Sequence, residues 1–381
     1  MQRICHLSSV HSLTDTRIFF KECQTLAQAG YEVFLIGQHE KDELRDGIQI
    51  LGLPKAKNRI ERMLKTTRRL YQRAVACDGD LYHFHDPELI PVGLLLKRKG
   101  KKVVYDVHED VPRQILSKDW IAAPLRKPLS RLVEKIENYA AKRFDYIVAA
   151  TPHIRDRFLK VNPRAMDINN FPILSELHLP DADWAAKEKA ACYIGGITKV
   201  RGIREMIRAV GMTGYKLFLA GRFSSTEERE KARQAEGWEQ VVELGQLGRQ
   251  EVREILSRSM VGLVVLHPIP NYLDALPVKM FEYMSAGIPV IASNFPLWKE
   301  IVEENQCGLC VNPLDAAEIA AALELILSDP KRARQMGENG RKAVEEKYNW
   351  ETEGRKLLKL YGVLFEAGLD RGSDEGPGGN E

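Results

Sequence analysis

Short runs rich in β-branched and aromatic residues alternate with amphipathic helical stretches along almost the whole chain, and no other feature restricts its fold so tightly. Such alternation marks doubly wound parallel sheets, in which each crossover helix covers a sheet face. The N-terminal series reads RICHL, YEVFLIG, IQILGL, DLYHF, KVVYDV and DYIVAA. A second reads ACYIGG, YKLFLAG, VVELG, VGLVVL, IPVIAS and GLCV. Between them, PILSELHLPDADWAAKEK is rich in Pro and charge and has no sustained period. At 381 residues the chain exceeds what one core usually serves. Two α/β domains are therefore expected, 1–172 and 190–348, joined by a linker over 173–189. Trp350, Leu357, Leu358, Tyr361, Leu364 and Phe365 recur at helical spacing and predict a last helix over 349–366 that packs back on a domain. Residues 367–381 cannot bury a core and are expected to be disordered.

A formal charge of +3 is too near balance for wholesale nucleic-acid binding, so any basic feature must be local. The six cysteines are scattered without a secretory leader, which argues for reduced thiols and a cytosolic protein. Cys307 and Cys310 form a CxxC with no second pair at matching spacing, and read as small apolar residues at the start of a strand. No run approaches the length a membrane-spanning helix needs.

In open α/β sheets, ligands sit beyond the carboxyl ends of the strands. NYLDALPVKMFEYMSAGIPVIAS, 271–293, fits that position. Pro277 suits the opening of a helix whose first free N–H groups form an anion site, and Lys279 adds positive charge there. Glu282 lies about one turn further on and can accept from a pair of hydroxyls; Asp274 sits in the preceding loop. A plainer reading makes Lys279 and Glu282 an i,i+3 surface pair and Asp274 a turn residue.

This segment resembles the signature of the retaining GT-B glycosyltransferases of family 4, in which two carboxylates with seven residues between them precede an EAMA-G-PV-AS run. Here Asp274 and Glu282 are followed by YMSAGIPVIAS, and the resemblance extends over nearly the whole chain. It implies two Rossmann-like domains facing a cleft, a nucleotide-sugar donor held by the C-terminal domain and an acceptor presented by the N-terminal one. By position, Glu282 matches the family's ribose ligand and Asp274 the carboxylate on the sugar hydroxyls. Leu276, Pro277 and Val278 match the stretch whose backbone meets sugar and diphosphate. Asp for Glu at 274 is one methylene shorter.

In YIGGITKVRGIREMIRAV, Arg201-Gly202 matches the family's Lys-Gly, whereas Gly196 stands where an Arg that clasps the diphosphate is expected. Lys199 is taken as the substitute cation. Arg222, after LFLAG, is a candidate phosphate or base contact; Gly245, Gln246 and Leu247 match the loop that receives the base. His108, in VVYDVHED, matches the family's His near the transferred sugar, with Asp106, Glu109 and Asp110 unranked beside it. In SSVHSLTDTRIF the family's Gly-Gly is missing, which leaves Asp15, Thr16 and Arg17 as ligand groups or as a helix start.

No metal or other cofactor is expected. Asp86, in HFHDPEL, reads as a helix cap and not as part of a His-Asp metal site. Asp78-Gly79-Asp80 and Asp181-Ala182-Asp183 are poorly placed Asp-x-Asp sequences. The resemblance implies hexose transfer with retention from a UDP-sugar, or a GDP-sugar as second choice, to a glycan or lipid-linked acceptor in cell-surface polysaccharide synthesis. A nucleotide-sugar epimerase of the same fold and a catalytically weak binding subunit are the alternatives. Residues 55–73 carry eight Lys or Arg and one acidic residue. With Ile60, Met63, Leu64, Leu70 and Tyr71 at helical spacing, they read either as a helix on the anionic inner membrane face or as a helix whose apolar stripe enters the core.

Overall fold

A computed structural model describes residues 1–118, 120–177 and 184–366. The chain divides into two compact units, Met1–Asn169 with Thr352–Glu381, and Asn170–Glu351. Residues 178–183, which include Asp181 and Asp183, and 367–381 lie outside the described residues.

The first unit holds β1 (Arg3–Leu7), β2 (Glu32–Gln38), β3 (Glu43–Arg45), β4 (Ile48–Leu53), β5 (Leu81–Phe84), β6 (Lys102–Val107), β7 (Tyr146–Ala149) and β8 (Ala165–Asp167). Their order is β3-β4-β2-β1-β5-β6-β7-β8, parallel except for the short hairpin pair β3 and β4. In β1, Ile4 lies opposite Val33 on one side and Leu81 on the other. Ile4, Leu7, Leu81 and Phe84 are wholly buried, as a sheet covered on both faces requires. β3 and β8 are too short for their sequences to announce.

The second unit holds β9 (Ala190–Ile194), β10 (Lys216–Ala220), β11 (Val241–Gly245), β12 (Val261–Val264), β13 (Val290–Ser293) and β14 (Gly308–Val311) in the order β11-β10-β9-β12-β13-β14. All neighbours are parallel. This is the doubly wound dinucleotide-fold order, and the chain reverses its winding between β9 and β12. In the first unit the corresponding reversal lies between β1 and β5.

The helix Trp350–Glu366 packs on the first unit from Thr352 onward: Tyr361 Oη lies 2.7 Å from His83 Nδ1, and the Leu364 carbonyl accepts from Lys102 Nζ at 2.7 Å. The described parts of 173–189 do not form a free linker. Leu177 is buried in the second core with Phe171 and Phe281, and Lys187 Nζ donates to the carbonyls of Leu256, Ser257 and Ser259. Residues 55–73 split between their two readings. Leu70 is buried in the first core and Tyr71 packs against it, whereas Ile60 and Leu64 are 72% and 67% exposed.

Candidate functional site

The loops after β9 and β12 flank the second unit's reversal point, where an open sheet leaves room for a ligand. After β9 the chain passes through Gly195 at φ +135°, a conformation costly for any residue with a Cβ. A Cβ there would lie 2.9 Å from Lys279 Nζ and 3.9 Å from Arg201 Nη1; one at 196 would lie 2.9 Å from Arg201 Nη1. The Gly196 carbonyl accepts from Tyr193 Oη at 2.7 Å and from Arg201 Nη1 at 3.2 Å. The space that a residue-196 side chain would enter is thus taken by Arg201.

Lys279 stands in the first turn of the helix Val278–Ser285. Its Nζ is buried, has no hydrogen-bond partner among the described residues, and sits 3.8 Å from the centre of the Tyr193 ring. Burial, and then the charge of Arg201, push its pKa well below the usual lysine range. Two cationic groups converging on a glycine turn, one of them unpaired, are arranged to receive an anion. Lys199 is exposed, and at Gly195 and Gly196 the neighbouring cations are Lys279 and Arg201.

Pro277 is the residue before the helix and not its first member, with φ −71° and ψ 119°. Its carbonyl accepts from Met280 N–H at 3.0 Å. The loop ahead of it is pinned by Trp298, whose Nε1 donates to the Ala275 carbonyl at 2.6 Å. Leu276, Pro277 and Val278 are half-buried, and Asp274 is exposed at the end of the short turn Pro270–Leu273. Glu282 does not pair with Lys279. Its Oε1 accepts from Arg249 Nη1 at 2.7 Å, and Arg249 also pairs with Glu176. Arg249 belongs to a separate helix, Arg249–Arg258, and nothing in the sequence joins it to Glu282. Gly245 has φ +71° and accepts from Gly221 N–H; Gln246 and Arg222 are exposed, and Leu247 packs on the core.

In the first unit, His108 follows β6, and its Nε2 lies 3.0 Å from Asp106 Oδ2 and 3.2 Å from His85 Nδ1. Of the three acidic residues that the sequence left unranked, Asp106 is the one bonded to His108. Burial opposes its charge, yet Arg17 and then His108 hold its pKa well below the carboxylate range. Arg17 is corrected from a candidate ligand to a buried structural cation: Nε and Nη2 grip both Asp106 oxygens at 3.0 and 2.9 Å, and Nη1 donates to the Ile168 carbonyl. Asp15 caps this turn, accepting from the Arg17 and Ile18 N–H groups. The Asp86 side chain is not a helix cap. Its Oδ2 accepts from the Ser9 and Val10 N–H groups and from Ser8 Oγ, because the chain after β1 turns directly over it.

Behind His108, Glu22, His83, His85 and Asp106 each place a ligand atom within 4.8 Å of one another. Arg17 lies among them, 3.0 Å from Glu22 Oε1, and supplies the positive charge the carboxylates need. Burial drives His6 and His83 well below, and His85 to about 4, while Glu22 is raised by burial and by Asp106.

Residues 17–168 match the family model Glycosyltransferase Family 4, and 176–343 match Glycosyl transferases group 1. A mannosyltransferase of Mycolicibacterium hassiacum, MMP alpha-(1->4)-mannosyltransferase, is 21% identical over 74% of this chain and 71% of its own length. Another curated relative is matched over only 46% of its length. Among solved structures, the sucrose-phosphate synthase of Thermosynechococcus elongatus superposes with a TM-score of 0.76 at 21% identity, over 96% of this chain and 100% of its own. Anabaena HepE in complex with UDP-glucose gives 0.73 at 14% identity, over 95% and 100%. With one glycosyltransferase model on each half and two Rossmann-like sheets beneath them, the chain belongs to the glycosyltransferases of the GT-B fold.

Proposed function

We propose that this glycosyltransferase moves a hexose, with retention of configuration and without a metal ion, from a nucleotide sugar to a glycan or lipid-linked acceptor in surface polysaccharide synthesis. The observation that carries the reading is the buried Lys279 ammonium beside Arg201, unpartnered among the described residues. These cations and the first N–H groups of Val278–Ser285 would receive the diphosphate, and Glu282, oriented by Arg249, would accept from ribose hydroxyls. Leaving-group charge develops on that diphosphate as the sugar bond breaks, so fixed cations there lower the barrier more than they tighten binding. They also do the work a divalent ion does elsewhere.

Asp274 would take sugar hydroxyls, and Leu276, Pro277 and Val278 would supply backbone contacts. Gln246 and Leu247 would neighbour the base, with Arg222 and Lys199 as outer positive groups. His108, held by Asp106, is proposed to approach the transferred sugar. No protein nucleophile is assigned; the departing phosphate oxygen takes the acceptor proton. A UDP-sugar is proposed ahead of a GDP-sugar; HepE, which shares the fold, was solved with UDP-glucose. No described helix is long and apolar enough to cross a membrane. The basic residues of 55–73, with Ile60, Met63 and Leu64 exposed, support docking on an anionic membrane surface.

A thermal-shift screen of nucleotides and nucleotide sugars, followed by mass spectrometry for transferred hexose, tests the reading. Stabilisation by a nucleoside diphosphate and product formation in excess chelator are expected. Activity abolished by chelator and restored by a divalent ion overturns the metal-free part.

A further inference from the structure

The helix Ala123–Ala141 turns its small and polar residues inward and its large apolar residues outward. Its buried members are Ser130, Glu137, Ala140 and Ala141. Ser130 Oγ donates to the Pro112 carbonyl, and Glu137 accepts from Arg157 and Tyr105. Leu125, Leu129, Leu132, Ile136 and Tyr139 are exposed, from 38% at Leu129 to 59% at Leu125. At 3.6 residues per turn the five fall within an arc of about 80°, a continuous stripe roughly 21 Å long. An amphipathic helix that only closed a core would turn this stripe the other way.

Charge identifies what covers it. Arg131, Lys135 and Lys142 lie along one flank of the stripe, and Arg126 and Lys127 stand at its start. Just ahead of the helix, Trp120 is 69% exposed and carries the Arg59 guanidinium 5.5 Å from its ring centre. That contact joins the helix to the start of the basic segment that exposes Ile60, Met63 and Leu64. A second copy laid on the stripe would add like charge to like charge, whereas anionic headgroups complement it. We infer that the helix Ala123–Ala141 is a docking surface for an anionic lipid bilayer, its apolar stripe seated among the acyl chains and its basic flank on the headgroups. The inference extends the membrane part of the proposed function from residues 55–73 to a second, apolar element, and is independent of the sugar and the acceptor.

Vesicle flotation of the full chain separates the two elements. With phosphatidylcholine vesicles containing about one-third phosphatidylglycerol, the wild type should co-float at low salt, and Leu125→Ser, Leu132→Ser and Ile136→Ser together should cut binding at least about tenfold. Because these side chains are exposed, the triple variant should keep its thermal midpoint and nucleotide response. Charge reversal at Lys65, Arg68 and Arg69 tests the 55–73 segment by itself. If the triple variant floats like the wild type while the charge reversal does not, the stripe is not the docking surface and the basic segment alone docks. A wild type that ignores anionic vesicles, or that light scattering shows to be a dimer made monomeric by the triple variant, also overturns the inference.

Discussion

The Lys279 ammonium lies 3.8 Å from the centre of the Tyr193 ring, buried and without a hydrogen-bond partner among the described residues. A cation so placed weakens the empty protein and strengthens the occupied one. Lys279→Met should therefore raise the thermal midpoint without ligand, since a similar apolar side chain replaces a desolvated charge, and should lower affinity for a nucleoside diphosphate about tenfold or more. Scanning calorimetry and titration calorimetry on the same samples check both signs. A midpoint that falls, or an affinity that holds, contradicts the assignment.

Glu282→Ala should weaken binding of the uncharged nucleoside as well as of the diphosphate, because each ribose hydrogen bond to a charged acceptor contributes on the order of 1.5–3 kcal/mol. Arg249→Ala leaves the carboxylate in place and removes only its orienting partner, so its loss should be smaller. Equal affinities for wild type and Glu282→Ala would remove Glu282 from the site.

Arg17 is the cation that lets Asp106 remain ionised in the first core. Arg17→Met strands a buried carboxylate and should cost about 3–5 kcal/mol in urea unfolding. A loss below about 1 kcal/mol would show that the network does not depend on that pair.

His85 titrates near 4 when folded, against roughly 6.5 in an unfolded chain. Between those values the unfolded chain binds a proton that the folded chain refuses, so this contribution to stability is lost as pH falls through the window. Glu22 acts in the opposite direction: its raised pKa makes the folded chain keep a proton that the unfolded chain releases as pH rises. The comparison is therefore made with His85→Asn, in which the fall in unfolding midpoint from about pH 7 to about pH 5 should be shallower than in the wild type. An unchanged slope would exclude His85 as a source.

Both sheets could be read in advance because their strands are buried on two faces and appear as apolar runs such as KVVYDV and VGLVVL. The three-residue β3 and β8 carry no such signal. Lys279 and Glu282 could be marked as candidates because they share a helix turn next to an anion-binding helix start, and Arg201 because Arg201-Gly202 matches the Lys-Gly of the family it resembles. What connects distant segments was not: Arg249 reaches Glu282 across 33 positions and Arg17 reaches Asp106 across 89. Asp86 was misread because its local pattern fits a cap, while its acceptor capacity is used by Ser8, Ser9 and Val10, more than 70 residues away. The stripe on Ala123–Ala141 escaped because periodicity shows that a helix is amphipathic without showing which side meets the core.

If Arg201 and Lys279 form the diphosphate seat, the ratio of UDP to uridine affinity measures it most directly. By titration calorimetry without divalent ions, the wild type should prefer UDP at least about tenfold, and Arg201→Ala should bring the ratio close to one while uridine binding holds. If Arg201→Ala weakens uridine and UDP by equal factors, or leaves the preference intact, the seat is not there.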